Sequence, residues 1–94
     1  PFERAEEFAY MAKVFKAHNL SVWSYTGYTY EYISENIDNR AGWRELIENL
    51  DVLVDGKFEI DKKEEGLKFR GSSNQRIIDI KKTLEKGKVE LFEV

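Results

Sequence analysis

An α/β fold with mainly parallel strands is predicted for this chain by three observations. Apolar residues recur at helical spacing from Ala5 to Phe15. A short unbroken apolar run, Val52-Leu-Val54, lies between Asp51 and Asp55. Such a run suits a strand covered on both faces, as strands of parallel sheets are. Helical and strand-like stretches also alternate, which is the rhythm of a βα-repeat protein. With 94 residues, 41% of them apolar, the chain is expected to form a single domain, 1–94, around a modest core.

The first helix is predicted from Ala5, Phe8, Ala12 and Phe15, with Met11 and Val14 widening the apolar stripe. Glu3, Glu6 and Glu7 near its start and Lys13, Lys16 and His18 near its end suit the helix dipole. Pro1 fits such a start, where its missing N–H needs no partner. Asn19 is the expected stop. Leu20 to Tyr25 alternates and is rich in β-formers, so it reads as a strand ended by Gly27. Thr29 is placed to cap a short helix reaching Glu35, and Asn36-Ile-Asp-Asn39 interrupts the pattern. A further helix carries Trp43, Leu46, Ile47 and Leu50 on one face and leads into the Val52–Val54 strand.

Beyond Gly56 the pattern loosens. Phe58 and Ile60 alternate briefly, Asp61 to Glu65 reads as a solvated loop, and Gly71-Ser-Ser-Asn74 as a turn. Gln75 to Ile80 suits either a strand or a helix start, and the β-branched bulk of Arg76-Ile-Ile-Asp-Ile80 favours the strand. Thr83 to Lys86 makes about one helical turn before Gly87. Val89 to Val94 alternates as a final strand.

Composition narrows the function classes. A net charge of −3 argues against charge-driven binding of nucleic acid or anionic membranes. No apolar run approaches the roughly 20 residues of a membrane span, and no secretory segment opens the chain. The absence of cysteine excludes disulfides and thiolate-held metals. His18 stands alone, with neither a triad nor a metal site around it. Tyr25-Thr-Gly-Tyr-Thr-Tyr30 lacks the interleaved cations of a base-stacking platform and reads as core and rim packing. A start at Pro1, without methionine, is expected of a processed or shortened chain.

In a βα-repeat fold, ligands gather at the carboxyl ends of the strands. Thr26 and Gly27 follow the first strand, and Asp55, Gly56 and Lys57 follow the second. Asp55 and Lys57, two apart on an extended backbone, would point to one side. A carboxylate and an ammonium so placed can grip the amine and carboxylate of an amino-acid moiety; a surface ion pair is the plainer reading. Gly71 to Gln75 can expose backbone N–H groups to an anion, with Arg70 and Arg76 flanking them as bidentate partners. On that reading Arg70, Ser72, Asn74 and Arg76 form an anion or cofactor loop; otherwise it is a polar turn.

Three segments in order, Trp23-Ser-Tyr-Thr-Gly-Tyr-Thr-Tyr-Glu31, Asp51-Val-Leu-Val-Asp-Gly-Lys-Phe58 and Phe69-Arg-Gly-Ser-Ser-Asn-Gln-Arg-Ile-Ile-Asp79, resemble the carboxyl-terminal half of the anaerobic ribonucleotide reductase activating proteins. These belong to the radical S-adenosylmethionine (radical SAM) enzymes. The resemblance implies the C-terminal fragment of a radical SAM partial (β/α) barrel that lacks the cluster-binding N-terminal part. It also implies a cofactor role for Asp55 and Lys57, because an Asp-x-Lys at a strand end in this family contacts the methionyl group, and for Thr26 and Gly27, because Tyr25-Thr-Gly27 takes the place of the polar turn that lines the same site one strand earlier. Pro1 resembles the last residue of a Gly-Gly-Asp/Glu-Pro motif that holds the methionyl amine.

The implied reaction is reductive cleavage of S-adenosylmethionine at a [4Fe–4S] cluster, placing a glycyl radical on the anaerobic ribonucleoside-triphosphate reductase. The implied electron donor is flavodoxin or a similar reductant, and the implied location is cytoplasmic. Three cysteines hold that cluster, so this chain alone is expected to bind no metal, to contribute no catalytic residue and to be inactive. An uncovered sheet edge would favour self-association of the fragment. Two alternatives stand beside this: a pyruvate formate-lyase activating enzyme homologue, and a stand-alone small α/β domain for ligand binding or protein interaction.

Overall fold

The computed structural model describes residues 2–93. A 3-10 turn, Phe2–Arg4, leads into α1 (Ala5–Ala17), followed by β1 (Trp23–Tyr25), α2 (Tyr30–Glu35), α3 (Trp43–Glu48) and β2 (Val52–Asp55). A second 3-10 turn, Ile60–Lys62, precedes β3 (Arg76–Asp79) and α4 (Ile80–Lys86). The result is a mixed α/β fold with a three-stranded sheet in the order β1-β2-β3. The proposed last residue of the Gly-Gly-Asp/Glu-Pro motif, Pro1, lies outside the described residues.

The strands do not all run the same way. β1 pairs with β2 in parallel, whereas β2 pairs with β3 antiparallel. The connections explain the difference. Between β1 and β2 lie two helices, which return the chain to the same end of the sheet. Between β2 and β3 there is only a 3-10 turn, so no crossover helix carries the chain back and the third strand returns beside the second. The expectation of mainly parallel strands therefore holds for one of two pairings.

One face of the sheet carries Ser24, Leu53 and Ile78 in register. Leu53 and Ile78 are wholly buried with Ile33, Trp43, Leu46, Leu50 and Ile80, residues of the helical layer and its connections. On the other face Val52, Val54 and Ile77 meet Trp23 and Phe92. β2 is buried along its whole length, as its unbroken apolar run requires.

Helix α1 meets this core with a different face from the one its larger apolar residues suggest. Ala5, Ala9 and Ala12 are buried, while Met11, Val14 and Phe15 are 44%, 39% and 41% exposed. Alanines bring α1 close to α3, where bulkier side chains would hold the helices apart. Met11 and Phe15 fall beside β1, where with Phe8 and Val22 they line a shallow apolar groove of about 190 Å³. Ser24 Oγ is buried next to it without a hydrogen-bond partner.

Other boundaries shift for local reasons. The predicted strand from Leu20 shrinks to Trp23–Tyr25, because Asn19 takes φ +61 and Leu20 N–H closes back onto Phe15 O at 3.0 Å. Thr29 caps α2 as expected, accepting from Tyr32 N–H at 3.1 Å. The final helix starts earlier than Thr83, since the Asp79 side chain accepts from Lys82 N–H and caps it at Ile80. The expected strand from Val89 is reduced to a single bridge, Ile78 with Leu91. Asp79 N–H to Glu90 O and Phe92 N–H to Ile77 O tie that segment alongside β3. Val94 lies outside the described residues.

Trp43 is the joint between the layers. Its Nε1–H donates to Phe2 O at 2.8 Å, and the Phe2 ring meets it edge-on. Tyr28 stacks on Tyr32 and leans on Trp43, while the Arg40 guanidinium lies over the indole and donates to the Tyr32 hydroxyl. The tyrosines at 28 and 32 thus serve packing.

Gly42, just before α3, has φ +81 and touches the start of α1 so closely that a Cβ would lie 2.6 Å from Glu6 N. Gly42→Ala therefore combines left-handed backbone strain of about 1–2 kcal/mol with an overpacking cost of about 1–3 kcal/mol. Gly66 shares the strain, at φ +87, but has open space around it. Urea unfolding is expected to show Gly42→Ala costing more than Gly66→Ala by that second amount. Equal losses would contradict the close approach of α1 and α3.

Candidate functional site

The carboxyl ends of the parallel pair, β1 and β2, lie side by side and their outgoing turns are tied together. Thr26 N–H donates to Val54 O, and Gly56 N–H donates to Tyr28 O, both at 3.0 Å. Within the first turn, Tyr28 N–H donates to Thr26 Oγ1 at 3.2 Å. Thr26 is half-buried and Gly27 exposed, so this turn forms a polar rim. Lys57 is exposed on the neighbouring turn, and its carbonyl accepts from Asn74 Nδ2 at 2.8 Å.

Asp55 and Lys57 do not present their charges together. Gly56 between them takes φ +95, which ends the alternation of the extended strand. Asp55 turns inward with 1% of its surface exposed, while Lys57 faces solvent. Asp55 lies on the helix-covered face, two residues beyond Leu53 and directly across from Arg76 in the antiparallel register. Arg76 Nε donates to Asp55 Oδ1 at 3.1 Å and Nη2 to Oδ2 at 2.5 Å. Tyr30 N–H, at the first position of α2, donates to Oδ2 at 2.7 Å. The carboxylate is thereby compensated by a fork of charged donors and one helix-terminal amide.

Arg76 reaches further. Nη1 and Nη2 also donate to the Glu31 carboxylate, at 3.1 and 2.6 Å. One guanidinium thus bridges β2, β3 and the start of α2. Its hydrogen bonds to Asp55 first, and to Glu31 second, raise its pKa above the usual arginine value. In turn, the hydrogen bond from Arg76 holds the Glu31 carboxyl below the ordinary glutamate range. Burial raises the Tyr30 hydroxyl. Removing Arg76 would leave the enclosed Asp55 carboxylate with the Tyr30 amide and no charged donor, a loss of about 3–5 kcal/mol when a buried charge is left unpaired.

The Gly71–Gln75 loop is organised by its own side chains. Gln75 Oε1 accepts from Gly71 N–H and Ser72 N–H at 2.8 and 3.2 Å, and its Nε2 donates to Gly56 O at 3.0 Å. Ser73 N–H donates to Lys62 O. Arg70 Nη1 donates to Gln75 O at 2.8 Å. Ser72 is buried, with its Oγ accepting from Glu59 N–H. The loop therefore clasps the Gly56–Glu59 turn, with four of its amides already engaged, the fourth being Gln75 N–H on Ser72 O at 3.1 Å. Asn74 Oδ1 is buried and without a partner.

Of the eight predicted site residues, Thr26, Gly27 and Lys57 face the rim and Asp55 lies beneath it. Arg76 leaves the loop to join Asp55. Ser72 and Asn74 hold the loop to the Gly56–Glu59 turn, and Arg70 braces the loop itself through Gln75 O. Sequence reasoning missed Glu31 and Tyr30 N–H, and placed Gln75 in the loop without a task of its own. Glu31, in the first turn of an acid-led helix, carried a faint signal; the Tyr30 amide did not.

A cysteine-free chain cannot supply thiolates. Among the described residues, no three His, Asp or Glu side chains gather as metal ligands. The residues present do not fit an iron–sulfur cluster.

The family described as a 4Fe-4S single cluster domain matches residues 1–78. The chain belongs to that family. Curated relatives are called anaerobic ribonucleoside-triphosphate reductase-activating proteins. That of Pasteurella multocida (strain Pm70) is 41% identical over 56 residues, covering 60% of this chain and 33% of the relative. That of Vibrio cholerae serotype O1 is 43% identical over 56 residues, covering 60% and 32%. That of Escherichia coli K12 is 39% identical over 54 residues, covering 57% and 31%. The matched stretch spans about a third of the length of these relatives. No solved structure matches the chain. Among the described residues no helix is long and apolar enough to cross a membrane.

At the opposite end of β2, Asp51 accepts two hydrogen bonds from Lys16 Nζ, at 2.8 and 3.0 Å, and one from Val22 N–H at 2.7 Å. Partial burial alone would raise its pKa, but Lys16 and the Val22 amide outweigh this and hold it below the usual value. A depressed carboxyl stabilises the fold above its unfolded pKa of about 4 and loses that contribution as pH falls through the lower folded value. Lys16→Gln is therefore expected to lower stability at neutral pH and to converge with the parent at a pH of about 2. An undiminished difference there, measured by urea unfolding, would contradict the pairing.

Proposed function

We propose that this chain is the carboxyl-terminal part of a radical SAM activating enzyme, a segment of a partial barrel whose cluster ligands lie outside this sequence. The whole protein would use reductive cleavage of S-adenosylmethionine to generate the glycyl radical of anaerobic ribonucleoside-triphosphate reductase. A flavodoxin-like reductant would serve as electron donor, in the cytoplasm. The observation that carries this reading is the similarity to reductase-activating proteins within a family matched over residues 1–78. The parallel β1–β2 pair supports it, because a polar rim at the carboxyl ends of parallel strands is where βα folds receive ligands.

In this reading Thr26, Gly27 and Lys57 form part of the wall that meets S-adenosylmethionine. The Lys57 ammonium attracts its carboxylate, and the Thr26–Tyr28 turn offers polar groups beside it. Asp55 contributes from beneath, holding Tyr30 N–H and the turn that precedes it. β1 lies at an edge of the described sheet, next to the exposed apolar residues of α1. That is where further strands of a barrel would add and cover both features. Cluster chemistry is left to the cysteines of the remainder, so no step of it falls to residues of this chain.

Two experiments test this reading. After anaerobic reconstitution with iron and sulfide, the 94-residue chain is expected to retain no cluster, while the full-length protein does. A stoichiometric thiolate-type cluster on this chain alone would refute the division of labour. In the full-length protein, Asp55→Ala and Lys57→Ala are each expected to weaken S-adenosylmethionine binding by about 1.5–3 kcal/mol, or ten- to a hundredfold. Asp51→Ala, at the far end of the strand, should weaken it less. Unchanged affinity in both variants, with clusters intact, would remove the rim from the ligand site.

A further inference from the structure

The geometry points to Arg76 as a positioning residue that sets the polar rim from beneath, through Asp55 and Glu31, without itself touching the ligand. This rests on the reading of the rim as part of the S-adenosylmethionine wall. Arg76 comes from β3, the antiparallel strand, and lies across the sheet from Asp55. Its fork spans the Asp55 carboxylate and the Glu31 carboxylate at once. Asp55 is 1% exposed, so the ligand-facing side of the rim is closed to it.

The same contacts lead outward to the rim in two short steps. Asp55 Oδ2 accepts from Tyr30 N–H, which fixes the first residue of α2. Two residues upstream, Tyr28 O accepts from Gly56 N–H, and Tyr28 N–H donates to Thr26 Oγ1. Moving α2 away from the end of β2 would therefore move Thr26, Gly27 and the Gly56–Lys57 turn relative to one another. Glu31 adds a second hold one residue further into the helix, more exposed than Asp55. A planar guanidinium suits this task because it can fork to one carboxylate while reaching another; an ammonium offers a point charge without the fork.

An ordinary stabilising ion pair would behave differently, and Lys16–Asp51 at the other end of β2 supplies the comparison. The full-length protein is prepared as parent, Arg76→Gln, Arg76→Lys, Glu31→Gln and Lys16→Gln, with cluster content matched by iron analysis. S-Adenosylmethionine is titrated into each, and hydrogen exchange of the segment 26–33 is followed without ligand. Arg76→Gln is expected to weaken binding at least tenfold and to speed exchange in that segment. Arg76→Lys should recover part of each effect, and Glu31→Gln should show smaller changes in the same direction. Lys16→Gln should leave affinity within about twofold even where its unfolding temperature falls as far. If Arg76→Gln does not fold, Glu31→Gln against Lys16→Gln decides by the same two readouts.

The inference is overturned if Arg76→Gln binds like the parent, or if Arg76→Gln and Lys16→Gln lose affinity in proportion to their loss of stability. A loaded parent that binds no S-adenosylmethionine defeats the functional reading instead. The exchange of 26–33 then decides alone: unaltered exchange in Arg76→Gln would still reject the positioning role.

Discussion

A carboxylate sealed from water at the end of the central strand has to be compensated, and the way Asp55 is compensated organises everything around it. Two nitrogens of Arg76 and the Tyr30 amide converge on it. Each comes from a different element, so satisfying one buried charge requires β2, β3 and α2 to meet at one point. An unpaired buried carboxylate would be far more costly than any surface ion pair in this chain. The requirement therefore acts as a geometric constraint as well as a source of stability.

That constraint also separates two roles which a linear pattern merges. Asp55 and Lys57 lie two positions apart, but Gly56 at φ +95 turns one inward and the other toward solvent. The solvent-facing charge then resides on Lys57, and the charge that holds the fold together on Asp55. Neighbouring polar side chains follow the same division. Gln75 uses its amide at both ends, closing the amides of Gly71 and Ser72 and reaching Gly56 O. A loop whose composition suggests an open anion cradle is thus the clasp of the turn bearing Lys57.

The sheet shows a comparable economy. β2 is covered on both faces, while β1 has β2 on one side and exposed apolar residues of α1 close by. Alanine contacts draw α1 onto α3 and leave Met11, Val14 and Phe15 outside. This apolar surface lies beside an edge strand and an unpartnered serine hydroxyl.

Local chemistry determined much of this protein. The acid-led periodicity of α1, the Thr29 cap, the apolar run of β2 and the stop at Gly87 are all encoded within a few residues, so they were legible in order along the chain. The absence of cysteine likewise meant that no residue of this sequence can supply a thiolate to a metal. Tertiary structure decided what depends on distant partners. The direction of β3 followed from a connection without a crossover helix, and the buried face of α1 followed from how near α3 could come. The pairing of Asp55 with Arg76 joins positions 21 residues apart that become opposite only through antiparallel register. Periodicity reports which residues share a face; only the assembled sheet decides which charges face each other across it.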